Sequence, residues 1–269
     1  MTINNDSQSF EKARNETISY HKLYYSRHQL FEENSWLAKP DAGLMKLVEE
    51  ELIGKNNSDK KDLDKKDLDK KNSSRQTGPL QLLDLGCGVG RNAVPVAMAL
   101  AQADVEAKLL GVDVLADSIE ILRKNCATYC VDHIVEGLVA DNDQFEITAA
   151  HFDLIAAISV VEHCAGKARV LKLLKSIGEG LKPGGLARIE MTTDRNVIDL
   201  TTKQAVPTHV ETPLSERQVK EMLAEAFTDS EYDVLSLEVF PYKEVLDKDG
   251  KKILWQSKQV SFSARRKET

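Results

Sequence analysis

The stretch Leu82-Leu83-Asp84-Leu85-Gly86-Cys87-Gly88-Val89-Gly90-Arg91-Asn92 decides the fold that the sequence predicts. Its first residues are apolar and favour a short strand. Three alternating glycines then favour a turn whose backbone can approach a bound molecule closely, because glycine has no Cβ. A helix is expected after the turn. Strand, glycine-rich turn and helix together indicate the first βα unit of an open α/β sheet, which binds nucleotide-like ligands at the carboxyl ends of its strands.

Strands and helices are predicted to alternate from residue 79 onward, which indicates a parallel sheet with helical crossovers. A hairpin is predicted at the end of the chain, around Asp247-Lys248-Asp249-Gly250. We therefore expect an α/β, Rossmann-like, doubly wound and mostly parallel seven-stranded sheet with an antiparallel C-terminal hairpin, in a domain spanning residues 79–269. The predicted strands are 80–85, 108–113, 134–138, 152–159, 186–191, 234–245 and 253–264, and the predicted helices are 92–101, 115–126, 167–181 and 215–226.

Two segments precede this domain. Residues 1–53 are predicted to be helical and partly amphipathic, with Lys39-Pro40 breaking the chain and Asp41 capping a new helix. Residues 54–78 contain a repeat of aspartate and lysine that is too polar to bury and is predicted to be a flexible insertion. A group of aromatic residues in the first segment either forms a lid over a ligand site or packs the helices onto the sheet: Tyr20, Tyr24, Tyr25, Phe31 and Trp36.

The composition and charge of the chain argue against nucleic-acid-binding, membrane-spanning and disulfide-rich proteins. The chain has 269 residues, of which 42% are hydrophobic, and a net charge of −7, so a nucleic-acid-binding surface is not expected. No apolar run has the length of a membrane span, and the polar N-terminus lacks a signal peptide, so we expect a cytoplasmic protein without a membrane partner. The four cysteines are expected to be buried reduced thiols rather than disulfide partners or metal ligands, since none forms a CxxC pair: Cys87, Cys126, Cys130 and Cys164.

The glycine turn fits two kinds of ligand. Dinucleotide sites prefer the pattern G-x-G-x-x-G, but here Arg91 takes the position of the third glycine. The chain resembles the class I S-adenosylmethionine-dependent methyltransferases over residues 80–191. Two motifs carry the resemblance, Asp84 to Gly90 and the later turn Leu181-Lys182-Pro183-Gly184-Gly185. Residues 83–92 are most similar to the bacterial tellurite-resistance type, which has Arg-Asn after the glycines.

The resemblance implies S-adenosyl-L-methionine as cofactor and S-adenosyl-L-homocysteine as product. It implies that Asp84 interacts with the methionine ammonium and that Asp141-Asn142 meets the adenine, although Asp141-Asn142 can also be a simple turn. Asp113 ends a strand where a carboxylate can accept both ribose hydroxyls, or cap the helix that follows. The predicted cofactor-binding residues are Asp84, Gly86, Cys87, Gly88, Arg91, Asn92, Asp113, Val114, Asp141, Asn142, Ser159 and Val160.

Two histidines are candidate catalytic bases. His163 follows the fourth strand, in the loop that the family places beneath the methionine moiety, or it is a packing residue at a helix start. His209 lies in a proline-bounded loop between residues 207 and 213 that can face the substrate or simply connect two elements. The expected reaction is an in-line methyl transfer, in which a hydroxyl or amine acceptor needs a base and a thiolate or chalcogen oxyanion does not.

The sequence thus predicts a methyltransferase acting on a small-molecule acceptor, whose identity it does not specify. A macromolecular acceptor is the first alternative. An NAD-dependent oxidoreductase is disfavoured by Arg91 and by the Pro-Gly-Gly turn. A non-catalytic scaffold is disfavoured because the motif residues Asp84 and Asp113 are intact.

Overall fold

A computed structural model of the chain describes residues 5–54, 78–206, 210–248 and 250–268. The aspartate–lysine repeat and His209 lie outside the described residues. The N-terminal segment contains helix α1 (Asn5–Arg27) and helix α2 (Ala42–Leu47), which continues into a wider π-helical stretch, Val48–Ile53. Within the part of the chain that the structure describes, none of the helices combines the length and the apolar character that a membrane crossing requires.

The domain is a seven-stranded sheet with the strand order β3-β2-β1-β4-β5-β7-β6. Strands β1 to β5 pair in parallel, whereas β7 runs antiparallel to both β5 and β6. The predicted fold class is therefore confirmed. The strands are β1 (Leu80–Leu85), β2 (Ala107–Asp113), β3 (Val135–Val139), β4 (Phe152–Ile158), β5 (Leu181–Asp199), β6 (Tyr232–Lys248) and β7 (Lys251–Arg266), and the helices are α3 (Ala93–Gln102), α4 (Ala116–Thr128), α5 (Lys167–Gly180) and α6 (Glu216–Ala226).

Apolar side chains cover both faces of the sheet. Leu83 and Ile155 belong to one buried cluster with residues of α5 and α6, while Leu82 and Leu154 belong to a second cluster with residues of α3 and α4. Successive residues of a strand point to opposite faces, so a sheet covered on both sides needs strands that are apolar throughout. The strand order reverses between β1 and β4, and in such sheets the crevice at the carboxyl ends of these two strands is the place for a ligand.

Strand β5 differs from its predicted form. The predicted tight turn at residues 182–185 lies inside the strand as a bulge, because Leu181 pairs with Phe152 and Leu186 pairs with Leu154. Gly184 permits the bulge with a φ of 79°. The strand also runs past its predicted end to Asp199, where it still pairs with β7. That extension depends on a partner strand far along the chain, so local apolar alternation did not reveal it.

The cysteines are all free thiols in the structure. Cys87, Cys126 and Cys164 are buried as expected. The prediction is wrong for Cys130, which is exposed. Cys130 lies just after α4 with a φ of 58°, in a turn that ends the helix and directs the side chain outward.

A buried arginine joins the N-terminal segment to the sheet. Asp41 caps α2 as predicted, by accepting a hydrogen bond from the Leu44 N–H at 2.6 Å. Its two carboxylate oxygens also accept bonds of 2.7 and 3.0 Å from Arg188 on β5, and Arg188 donates another to the Ser261 hydroxyl at 2.6 Å. Gly43 lies against this guanidinium, where a Cβ would come within 2.5 Å of Arg188 Cζ.

We expect Arg188→Met to destabilise the protein by about 3 to 5 kcal/mol, because it leaves the Asp41 carboxylate buried without its partner. Urea unfolding of the full chain measures the change. Arg217→Met is the matched control, since Arg217 is exposed and pairs with Glu221 at the surface of α6, and its stability should not change. Equal stability of the two variants would contradict the structural role given to Arg188.

Candidate active site

A cavity lies at the carboxyl ends of β1, β2 and β4 and is closed on one side by α1. Its empty volume, including the open mouth, is about 730 Å³. It brings together eight of the residues predicted for the site, from four separate parts of the domain. They are Gly86, Asp113, Val114, Asp141, Asn142, Ser159, Val160 and His163.

The glycine turn passes closely beneath neighbouring side chains. A Cβ on Gly86 would lie 2.6 Å from Val160 Cγ2, and one on Gly88 would lie 2.5 Å from the Tyr25 hydroxyl oxygen. Both glycines also have positive φ values, 68° and 53°. A side chain at either position would therefore be disfavoured by contact and by backbone conformation together.

Asp113 holds the glycine turn in place. Its Oδ2 accepts a hydrogen bond from the Gly88 N–H at 2.9 Å, and its Oδ1 accepts one from the Leu115 N–H at 2.8 Å. Burial raises the pKa of Asp113, although these two N–H groups oppose the shift. Asp113 therefore caps the start of the helix that follows it, which is one of the two roles predicted from the sequence. Each of its oxygens keeps a second lone pair that can accept a further hydrogen bond. A contact of Asp113 with the ribose hydroxyls is thus possible in this geometry and stays a prediction.

Asp84 and Cys87 lie behind the turn rather than in the cavity wall. Burial raises the pKa of Asp84 to about 7, even though Arg91 opposes the shift. Its Oδ2 has no hydrogen-bond partner among the described residues. Cys87 packs under β2, with its Sγ 2.9 Å from where a Cβ on Gly111 would be. A direct contact of either residue with a cofactor stays a prediction.

Arg91 and Asn92 contact the N-terminal segment. Arg91 donates a hydrogen bond of 3.3 Å to the Trp36 carbonyl, and its guanidinium lies 5.7 Å from the centre of the Trp36 ring. Asn92 Oδ1 accepts a hydrogen bond of 2.9 Å from the Asp41 N–H. The side chains of this Arg-Asn pair thus attach the N-terminal segment to the glycine turn, and their contact with a cofactor stays a prediction.

One face of α1 forms a wall that the sequence analysis largely missed. The residues of α1 that line the cavity recur every three or four positions, so they lie on one side of the helix. Arg14 Nη2 lies 2.5 Å from Asp141 Oδ2 across the cavity. This spacing is present in the sequence, but the residues at these positions are partly polar and partly apolar. They therefore do not form the apolar periodicity that predicts a buried helix face. The lining residues of α1 are Arg14, Thr17, Ile18, His21 and Tyr25.

Some N-terminal aromatic residues border the cavity, as a lid would, and others pack the N-terminal segment together. Tyr25 lines the cavity. Tyr24 stacks on Trp36 with ring centres 4.9 Å apart, and Phe31 meets Tyr129 edge-on at 5.1 Å, so these residues pack the segment together. Tyr20 is 54% exposed.

His163 lies opposite a buried carboxylate that the sequence analysis did not identify. Its Nδ1 is 3.1 Å from Oε2 of Glu211, whose side chain is 1% exposed. Burial opposes ionisation of Glu211, but His163 and the Thr17 hydroxyl outweigh it and lower the pKa of Glu211 to about 2. His21 also lines this end of the cavity. Glu211 shares the proline-bounded loop of His209, but nothing local in the sequence shows that this loop folds back onto β4.

Comparison with known proteins agrees with this geometry. A family model described as a methyltransferase domain matches residues 83–187, which include the glycine turn, Asp113, Asp141 and His163. The chain carries a class I S-adenosylmethionine-dependent methyltransferase domain. Its cofactor is S-adenosyl-L-methionine. None of the curated proteins matches the sequence.

Solved structures share the fold at low sequence identity. A proposed methyltransferase from Bacillus halodurans is 15% identical with a TM-score of 0.50, and the alignment covers 71% of this chain and 94% of that one. A structure from work on the conversion of a disulfide bond into a thioacetal group during echinomycin biosynthesis is 16% identical with a TM-score of 0.53, covering 91% of each chain. TehB from Haemophilus influenzae is 20% identical with a TM-score of 0.50, covering 71% of this chain and 59% of TehB.

The polar atoms of the methyltransferase cavity fit its cofactor. Asn142 Oδ1 and Asp143 Oδ1 are buried and have no hydrogen-bond partner among the described residues. Both line the cavity beside Asp141, where acceptors for an adenine amino group are expected. Carboxylates around the cavity also suit a cofactor that carries a positive charge.

His21 makes stability depend on pH in the methyltransferase. Burial and the nearby His163 lower the pKa of His21 to about 4 from 6.5, although Glu211 opposes the shift. Between pH 6.5 and pH 4 the unfolded chain takes up a proton on His21 and the folded chain does not. The free energy of unfolding is therefore highest above pH 6.5, as far as His21 is concerned, and falls as the pH is lowered towards 4.

Between pH 7 and pH 5 this residue is expected to remove about 2 kcal/mol of stability. The variant His21→Gln should lose less stability than the wild type over the same interval, by about that amount. Urea unfolding at the two pH values measures the difference. Identical losses in both proteins would show that His21 is not held neutral by the fold.

Proposed function

We propose that this methyltransferase transfers a methyl group from S-adenosyl-L-methionine to a small-molecule acceptor bound in the cavity beneath α1. The observation that carries the proposal is that one cavity joins seven of the predicted cofactor residues to His163 and is closed on one side by α1. The lining combines apolar side chains such as Ile18 and Val160 with a few polar groups, as small-molecule sites do.

Several residues would hold the cofactor. Asp113 would accept hydrogen bonds from the ribose, and Asn142 with Asp143 would accept them from the adenine, since all three residues line the cavity and the last two each have an unpartnered buried oxygen. Gly86 would admit the methionine moiety close to the backbone. When bound, the cofactor supplies the methyl group on a sulfonium, which is already a good leaving group.

The protein's part in the reaction is then to position the acceptor and to exclude water. The face of α1 from Arg14 to Tyr25 covers the strand ends, and Ile18 and Val160 contribute apolar surface to the lining. Holding donor and acceptor in line near contact distance accounts for a large share of the rate that such enzymes reach. His163 lies in the same cavity and is the candidate for receiving a proton from the acceptor.

A cytoplasmic location, with neither nucleic acid nor a membrane as partner, is part of this proposal. The net charge of −7 supports the absence of a nucleic-acid partner.

Binding of S-adenosylhomocysteine tests the cofactor site. We expect the wild type to bind it in a calorimetric titration and Asp113→Ala to bind at least roughly tenfold more weakly, because charge-assisted hydrogen bonds to the ribose are lost. Asp113→Ala also leaves two buried N–H groups without a partner and should lower stability by about 1 to 3 kcal/mol, so its unfolding curve is measured alongside. Asp117→Ala, at an exposed position on α4, is the matched control and should bind as the wild type does.

Equal affinity of Asp113→Ala and the wild type would remove Asp113 from the site. Transfer of a labelled methyl group to a panel of thiols, phenols, amines and chalcogen oxyanions tests the acceptor, in parallel with a cell-protein extract. Labelling of a panel compound supports the proposal. Labelling of protein alone would contradict it.

A further inference from the structure

The pairing of Glu211 with His163 assigns a direction to the imidazole. An ionised carboxylate only accepts hydrogen bonds, so the nitrogen that faces it, Nδ1, is the one that carries the ring proton. The other nitrogen, Nε2, then keeps its lone pair. His163 Nδ1 and Glu211 Oε2 lie 3.1 Å apart as charge partners, and neither atom has a hydrogen-bond partner elsewhere among the described residues.

Glu211 is placed at some energetic cost. A carboxylate that is 1% exposed is unfavourable unless charge or hydrogen bonds compensate for the lost water. Here the compensation comes from His163 and from the Thr17 hydroxyl on α1. The carboxylate therefore connects the loop before α6, the turn after β4 and the covering helix at one point of the cavity wall.

The charges around His163 bear on the acceptor. His163 lies close enough to three titratable groups to change their pKa values: Glu211, His21 on α1 and Asp113 at the end of β2. Asp141 and Asp143 add two further carboxylates to the cavity lining. The positive charge that Arg14 brings to this lining is already paired with Asp141. An anionic acceptor such as a chalcogen oxyanion is therefore disfavoured, and a neutral acceptor is favoured.

We propose that Glu211 is a positioning residue that holds His163 as the proton acceptor for a neutral methyl acceptor with a hydroxyl group. The inference rests on the proposed function of the cavity. His163 Nε2 takes the proton from the acceptor hydroxyl as the oxygen bonds to the methyl carbon. The bond between that carbon and the cofactor sulfur breaks, with its electron pair left on sulfur, and the proton stays on His163 until solvent removes it. Glu211 stabilises the imidazolium that forms.

NMR of the imidazole nitrogens in the full chain tests the pairing without any acceptor. The His163 ring signals are assigned by their loss in His163→Asn, and their nitrogen chemical shifts report which nitrogen carries the proton of the neutral ring. Because the carboxylate of Glu211 only accepts hydrogen bonds, we expect the proton on Nδ1 in the wild type and a larger share of it on Nε2 in Glu211→Gln, whose amide can donate to Nδ1. Glu221→Gln, an exposed glutamate of α6, is the matched control and should leave the shifts unchanged. The tautomer of the wild type is itself a test if the glutamine variant does not fold.

Methyl transfer to a phenol series tests the chemistry. We expect kcat to fall roughly tenfold or more in Glu211→Gln, with the affinity for S-adenosylhomocysteine unchanged. His163→Asn should lose more, and adding Glu211→Gln to it should have no further effect, because the carboxylate acts through the imidazole.

Three results separate the inference from the function beneath it. An unchanged His163 tautomer in Glu211→Gln, with S-adenosylhomocysteine still bound, overturns the inference and leaves the cofactor site standing. Transfer by the wild type to selenite but to no phenol overturns the assigned acceptor class. Failure of the wild type to bind S-adenosylhomocysteine overturns the proposed function itself, whatever the His163 tautomer is.

Discussion

The carboxylate of Asp113 joins the two segments whose relative position defines the cavity. Through one oxygen it holds the Gly88 N–H, and through the other it holds the Leu115 N–H at the start of α4. The turn after β1 and the end of β2 are thus fixed at the point where the strand order reverses. The parallel sheet brings the two strand ends to one edge, and this carboxylate sets the shape of the floor between them.

The covering helix depends on contacts at both ends of the N-terminal segment. At one end Arg14 meets Asp141, and along the helix the Tyr25 hydroxyl lies against Gly88. Farther along, Asp41 is held by the buried Arg188 and by Asn92 next to the glycine turn. The residues that close the cavity are therefore anchored to the same turn that would receive the cofactor, so cofactor binding and the position of α1 are expected to be coupled.

The sequence predicted the parts of the structure that local chemistry determines. The run from Leu80 to Asn92 is a strand followed by a glycine turn because apolar residues and glycines leave little choice there, and Asp41 caps α2 through its own side chain. The part of β5 beyond Met191 and the role of Glu211 depend on partners distant in the chain, β7 and His163. The cavity face of α1 has a regular spacing, but its polar and apolar residues serve a site rather than a core, so the usual apolar pattern is absent.

Hydrogen–deuterium exchange of the full chain with and without S-adenosylhomocysteine tests most directly whether the cavity beneath α1 is the cofactor site. We expect saturating ligand to slow exchange at the glycine turn from Gly86 to Asn92, around Asp113, and along α1, because all three segments border one cavity. Slower exchange confined to other parts of the chain, with the glycine turn and α1 unchanged, would contradict this account.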